Sequence, residues 1–275
     1  MKAIPDVIRI EPASACNLRC VYCPTGTGQF KKTGIMTWRI FDLIMRDLES
    51  NVPRVAVMYH GGEPLLCKNL WDWVIRLKNL GVKHVKTVTN GTLLDEGVIR
   101  KIVASGLDEI EISIDGHSPE ESNALRRGSD CQKIMNSIER LLVLKDESLS
   151  VFVSNVQLEN PDSPSEPKTA QFIMDTFGDA VVYKCSYVIN WAGFDKAGFI
   201  SPQKIQDGYC PHLNETMTIR WNGDVVPCCY DITSKGVLGN VCKDSLVDIW
   251  NGQSYERVRR GIREGNPLSF CKGCF

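Results

Sequence analysis

Two hydrophobic periods alternate along the first two thirds of the chain. Short runs rich in β-branched residues read as strands: VIRIEP (7–12), RVAVMY (54–59), HVKTVT (84–89), EIEISI (109–114), SVFVSNVQL (150–158) and AVVYKCSYV (180–188). Between them, apolar residues recur every three or four positions, the period of an amphipathic helix. TWRIFDLIMRDLESN sets Ile40, Ile44 and Leu48 on one face, and LWDWVIRLKNLG stops at Gly81, a natural C-terminal cap. LLDEGVIRKIVASG, CQKIMNSIERLLVLKD and TAQFIMDTFG continue the pattern, the last preceded by a Pro/Ser-rich loop, ENPDSPSEP. Six such β/α units predict a parallel sheet with right-handed crossovers, curled into an open partial (β/α)6 barrel of the α/β class. After Asn190 the rhythm stops, and a glycine-hinged loop is predicted over WAGFDKAGFISPQKIQDGYCP. ETMTIRWNGDVVPCCYD then reads as a β-hairpin turning at Asn222-Gly223, followed by the short helices SLVDIWNG and SYERVRRGIREG. The pattern divides the chain into a barrel over residues 1–195 and a small C-terminal extension over 196–275.

Composition narrows the function classes. The 275 residues are 43% apolar, enough for a substantial core, and carry 32 basic against 33 acidic side chains for a net charge of -1. That balance gives no electrostatic footprint for nucleic acid or an acidic membrane surface. No apolar run spans a bilayer, and MKAIPDVIRIEP has charges and a proline where a signal peptide needs its apolar centre. The expected location is cytoplasmic.

Twelve cysteines in a reducing compartment point to metal or redox chemistry rather than disulfides. Cys16, Cys20 and Cys23 lie within eight residues. Cys210, Cys228, Cys229, Cys242, Cys271 and Cys274 form a C-terminal group, and Cys67, Cys131 and Cys185 are scattered. The first three suit an iron–sulfur cluster with one open position, or a zinc completed by a ligand such as His60. Zinc would leave other features unexplained. The three-cysteine loop follows the first strand, HGGEP (His60–Pro64) the second, TNG (Thr89–Gly91) the third, and SIDG (Ser113–Gly116) closes the fourth. All fall at strand C-termini, the rim where such folds place function. The C-terminal hairpin and CxxC offer a four-ligand site that zinc or iron–sulfur could fill.

CxxxCxxC after the first strand, with an aromatic residue before its last cysteine, and GGEP after the second strand resemble the radical S-adenosylmethionine (SAM) superfamily. The resemblance covers residues from about 5 to 195. It implies that Cys16, Cys20 and Cys23 hold three irons of a [4Fe-4S] cluster, while SAM chelates the fourth. Tyr22 would pack near the adenine. Gly61 and Gly62 would let the backbone approach the methionyl amino group, with Glu63 and Pro64 stiffening that turn. Arg127, with Arg126 as its rival, would fork onto the SAM carboxylate. Asn90, Ser113 and Ser154 would contact ribose or methionyl groups.

The C-terminal part resembles the SPASM or twitch extension of that superfamily, through Cys210, Gly223, Cys228 and VLGNVCKDSLVDIW. Its layout is closer to the shortened version of the 2-deoxy-scyllo-inosamine dehydrogenase type than to a full SPASM domain. This implies one auxiliary [4Fe-4S] cluster on Cys210, Cys228, Cys271 and Cys274, with Cys229 and Cys242 left over.

The resemblance implies reductive cleavage of SAM to a 5′-deoxyadenosyl radical, fed by an electron donor such as flavodoxin or ferredoxin, and hydrogen abstraction from a small-molecule or peptide substrate. A two-electron oxidation of a small polar substrate is the leading expectation, and epimerisation or peptide crosslinking the alternatives. A non-enzymatic zinc module is the third class. Lys184, Cys185, Tyr187, Asn190 and Trp191, on and after the sixth strand, are expected to face the substrate. Lys184 would act as a base if burial lowers its pKa, and Cys185 as a hydrogen donor.

Overall fold

The computed structural model describes residues 3–29, 33–158, 166–191, 205 and 207–274. Its centre is six parallel strands: β1 (Val7–Ile10), β2 (Val55–Val57), β3 (His84–Thr89), β4 (Glu109–Ser113), β5 (Ser150–Gln157) and β6 (Val182–Tyr187). They stand side by side in chain order. Helices connect them: α1 (Trp38–Leu48), α2 (Leu70–Leu80), α3 (Glu96–Ala104), then α4 (Pro119–Leu125) with α5 (Cys131–Leu144), and α6 (Gln171–Phe177). Local chemistry sets their ends. Thr37 and Asp130 cap α1 and α5 through their side chains, and Gly81 ends α2 at φ 101°, a left-handed turn that glycine adopts without strain.

Alternation along each strand separates two faces. Ile8, Ile10, Val85, Ile110, Ile112, Val151 and Val153 join the helices' apolar stripes in one core, where Phe41 stacks on Trp73 at 4.5 Å. Each such buried side chain contributes roughly 1.5–3 kcal/mol by transfer from water. The other face, carrying Arg9, Lys86, Glu111, Ser113, Ser154 and Lys184, lines the barrel interior.

The C-terminal residues do not stand apart from this sheet. After α7 (Pro211–Glu215), β7 (Thr216–Ile219) lies parallel to β1, in register from Val7–Thr216 to Ile10–Ile219. β8 (Asp224–Val226) returns antiparallel through a turn at Gly223, φ 86°, and β9 (Gly239–Asn240) completes nine strands. Among the described residues the edges, β9 and β6, do not pair with each other, so the barrel is open. Helices α8 (Leu246–Asn251) and α9 (Gln253–Arg263) bury Leu246, Trp250, Tyr255 and Val258 in the same core. The hairpin and both helices lie where hydrophobic spacing predicts them. Most of the predicted glycine-hinged loop and the boundary at 195/196 lie outside the described residues. Among the described residues, no helix is long and apolar enough to cross a membrane.

Candidate active site at the rim of the barrel

Three loops meet at the C-terminal ends of β1, β2 and β3. The loop after β1 carries the three cysteines, Cys20 buried and Cys16 and Cys23 partly exposed. Burial pushes the Cys20 thiol up to about 11, and each neighbouring thiol adds to this. Gly26 folds back so tightly that a Cβ there would lie 2.6 Å from the Cys20 backbone. The loop after β2 packs directly on this one. A Cβ on Gly62 would sit 2.4 Å from the Ala15 carbonyl oxygen and 2.5 Å from that of Ala13, so no larger residue fits. Glu63 N–H donates to Ala15 O at 2.8 Å, and Thr25 Oγ1 donates to Gly61 O at 2.8 Å.

Glu63 ties in the third loop. Its carboxylate accepts from Thr89 Oγ1 (2.8 Å), Asn90 N (2.8 Å) and Leu65 N (3.0 Å). Full burial raises its pKa in spite of these donors. Asn90 Nδ2 then donates to Asn17 Oδ1 at 2.9 Å and lies 3.8 Å from Cys16 Sγ. Ser113, at the end of β4, lies beside Ser154 in the middle of β5, 3.3 Å apart at their hydroxyls.

Sequence reasoning did not single out Glu11. It sits in VIRIEP at the end of β1, fully buried, and its oxygens accept from Gly61 N (3.0 Å), Trp221 N (3.1 Å) and Arg220 Nε (3.1 Å). His60 Nδ1 is 3.5 Å away. Burial alone would raise its pKa; the His60 contact, the Arg220 charge and the Trp221 N–H outweigh that and hold it at about 2. One carboxylate thus pins the glycine loop to the C-terminal hairpin. A charged residue closing an otherwise β-branched strand was the available signal.

The C-terminal thiols gather from three segments. Cys271 is pushed up to about 12 by burial, with Cys210 and Cys274 as neighbouring thiols. Cys228 is raised well above its usual value by burial, with Cys229 and Cys271 beside it. Cys242 is exposed. Cys229 turns toward the barrel, its Sγ 3.8 Å from His212 Nδ1 and its carbonyl 3.1 Å from His60 Nε2. Among the described residues, no three His, Cys, Asp or Glu side chains converge as a single metal ion requires.

Residues 10–154, more than half of the chain, match the radical SAM superfamily. The chain belongs to that superfamily. Residues 210–275 match the SPASM iron–sulfur cluster-binding domain. A relative from Niallia circulans, an S-adenosyl-L-methionine-dependent 2-deoxy-scyllo-inosamine dehydrogenase, is 23% identical over all of this chain and 94% of its own. Among solved structures, BtrN in complex with AdoMet and 2-DOIA aligns with a TM-score of 0.66 at 20% identity, over 100% of this chain and 94% of that one. Streptococcus suis SuiB bound to its precursor peptide SuiA aligns at 0.73 and 15% identity, over 95% of this chain and 67% of that one. This radical SAM enzyme therefore binds SAM and a [4Fe-4S] cluster, with an auxiliary iron–sulfur cluster in its SPASM region.

The structure places four of the residues expected at this radical SAM site, Tyr22, Arg127, Lys184 and Cys185, as follows. The short ladder Arg19–Cys20 with Arg126–Arg127 pairs Cys20 with Arg126 and Arg19 with Arg127. Alternation therefore turns Arg126 inward, where it meets Asp115 Oδ2 (2.8 Å) and Tyr22 Oη (3.0 Å), and leaves Arg127 exposed beside Arg19. Tyr22 is buried in this triad, its hydroxyl donating to Asp115. Cys185, expected to face the interior, pairs with Asn155 on the helix-side face. Its thiol lies 3.3 Å from Gln157 Nε2 and 3.5 Å from Lys168 O. The inward residue is its neighbour Lys184. That ammonium stands 2.9 Å from Glu111 Oε2 and 4.0 Å from the Phe152 ring centre, so it belongs to an ion-paired wall and not to an isolated buried base.

Proposed function

We propose that this radical SAM enzyme is a dehydrogenase, removing two hydrogens from a small polar substrate held inside the barrel. The observation that carries the reading is likeness to a dehydrogenase along the whole chain, together with four gathered thiols beside the barrel wall. When bound, the SAM-site [4Fe-4S] cluster with SAM supplies a 5′-deoxyadenosyl radical that takes a hydrogen atom from carbon, and an auxiliary [4Fe-4S] cluster supplies an acceptor for the second electron. Cys16, Cys20 and Cys23 are assigned to the first cluster, and Cys210, Cys228, Cys271 and Cys274 to the second. Gly61, Gly62, Glu63 and Pro64 shape the loop against which SAM is held. Asn90, Ser113 and Ser154 offer it hydrogen bonds. Arg126 holds Tyr22 in place and adds positive charge near the Cys16 and Cys20 thiols.

Exposed Arg19 and Arg127 flank the outer side of the cysteine loop. They suit contact with an acidic electron donor such as flavodoxin or ferredoxin, in a cytoplasmic setting that keeps the twelve thiols reduced.

The enzyme is tested by anaerobic turnover with SAM and a reductant against aminocyclitols, hexoses, hexose phosphates, uronates and short peptides. The expected product is two hydrogens lighter than its substrate, with Cys185→Ala as active as wild type because its thiol faces away from the interior. An isomer carrying one deuterium from deuterated water, or a crosslinked peptide, would overturn the reading in favour of an epimerase or a maturase.

A further inference from the structure

On the inner wall of the barrel, Arg9 is a cation with no ion-pair partner among the described residues. Arg9 lies on the inward face of β1, opposite Val57 of β2 and Thr218 of β7. Its guanidinium packs over the Tyr59 ring at 4.7 Å and makes one long bond, Nη1 to Tyr59 O at 3.4 Å. Nε is buried with no partner. Beside it, Thr218 Oγ1 is also buried with no partner. The other inward cations are satisfied: Lys86 Nζ is 3.3 Å from Glu109, and Lys184 Nζ is 2.9 Å from Glu111. Glu11, two residues further along the same strand, has its oxygens filled by Gly61, Trp221 and Arg220. Among the described residues, no carboxylate reaches Arg9.

Arg9 is half-buried, with its Nε fully so, and withdrawing a guanidinium from water costs free energy unless an anion compensates it. Stacking on one aromatic ring recovers only a fraction of that. Arg9 also occupies a telling place. Cys229 and Cys228 are its electrostatic neighbours, and β1 ends at Ile10, one residue beyond it, before the loop that carries Cys16, Cys20 and Cys23. It therefore lies on the inward face of β1 beside Cys228, whose thiol is assigned to the auxiliary cluster.

We propose that Arg9, with the Thr218 hydroxyl beside it, binds an oxyanion on the substrate, so that this enzyme acts on a carboxylated or phosphorylated small molecule. The planar fork of the guanidinium can donate bidentately to either group. An anionic substrate distinguishes this chain from its Niallia circulans relative, whose named substrate is an amine. The inference rests on the barrel interior being the substrate site.

The test is calorimetric titration of the reconstituted, SAM-loaded enzyme with three matched probes: glucose, glucose 6-phosphate and glucuronate. At least one anionic probe is expected to bind about tenfold or more tightly than glucose, and the two anionic arms identify which oxyanion fits. Arg9→Gln is expected to abolish the preference, and Arg9→Lys, which keeps the charge, to retain part of it. Equal binding of all three probes, no binding of either anion, or an undiminished preference in a folded Arg9→Gln protein would each overturn the proposal. So would a variant whose only change is a lower auxiliary-cluster potential, since Arg9 would then serve the cluster's charge. Wild-type SAM cleavage is measured in the same preparation: its absence would count against the enzyme reading itself, and its presence without anion preference against this inference alone.

Discussion

Removing the Glu11 carboxylate should loosen the SAM-site loop and the C-terminal hairpin together. The residue is fully buried and its pKa falls from an ordinary 4.5 to about 2. At about 1.4 kcal/mol per unit this corresponds to roughly 3 kcal/mol of folding free energy. Because the folded pKa is depressed, that stability is present in full above about pH 4.5 and is lost as pH falls toward 2. Glu11→Ala leaves Arg220 buried, its Nε without its acceptor, a loss of about 3–5 kcal/mol in comparable sites. Glu11→Gln retains one acceptor oxygen and should fall between. Guanidinium unfolding followed by tryptophan fluorescence at pH 7 measures the loss in reconstituted protein. The same experiment on iron-free protein, from pH 5 to pH 2.5, should show the gap between wild type and Glu11→Ala closing as wild-type Glu11 protonates. SAM affinity should drop in parallel, because Gly61 N–H loses its acceptor. A gap under about 1 kcal/mol at pH 7, or one unchanged down to pH 2.5, would refute the assignment of Glu11 as the pin.

Gly62→Ala forces a methyl against two carbonyl oxygens at 2.4 and 2.5 Å, and should weaken SAM binding by about tenfold or more in equilibrium dialysis. Replacing Cys16, Cys20 and Cys23 together with Ala should take the iron content from about eight per chain to about half and abolish 5′-deoxyadenosine formation. Cys228→Ala with Cys271→Ala should remove the other half of the iron. That variant should still form 5′-deoxyadenosine but release no oxidised product, as mass spectrometry would show, and its melting temperature should fall because metal binding contributes to folding there.

The strands, helices, hairpin and cysteine groups were legible in the sequence because each is a local pattern. Two-residue and 3.6-residue periods, a glycine cap at Gly81 and an Asn-Gly turn at 222–223 act over a few positions. Even the rim position of GGEP followed from the rule that strand C-termini carry the loops. What tertiary structure alone decided concerns direction and distance. Arg126 and Arg127 are adjacent and chemically identical, and only their pairing with Cys20 and Arg19 shows which one turns inward. Cys185 and Lys184 pose the same question, since shifting a strand's register by one residue exchanges its two faces, and the partners Asn155 and Ser154 supply the answer. Glu11 and Arg220 are 209 residues apart, so no window along the chain could join them. That pair, and Arg9 beside Thr218 with no carboxylate partner among the described residues, arise because β7 closes onto the free edge of β1. Edge pairing is made by backbone groups that every residue carries, so the side chains along the sequence do not announce it.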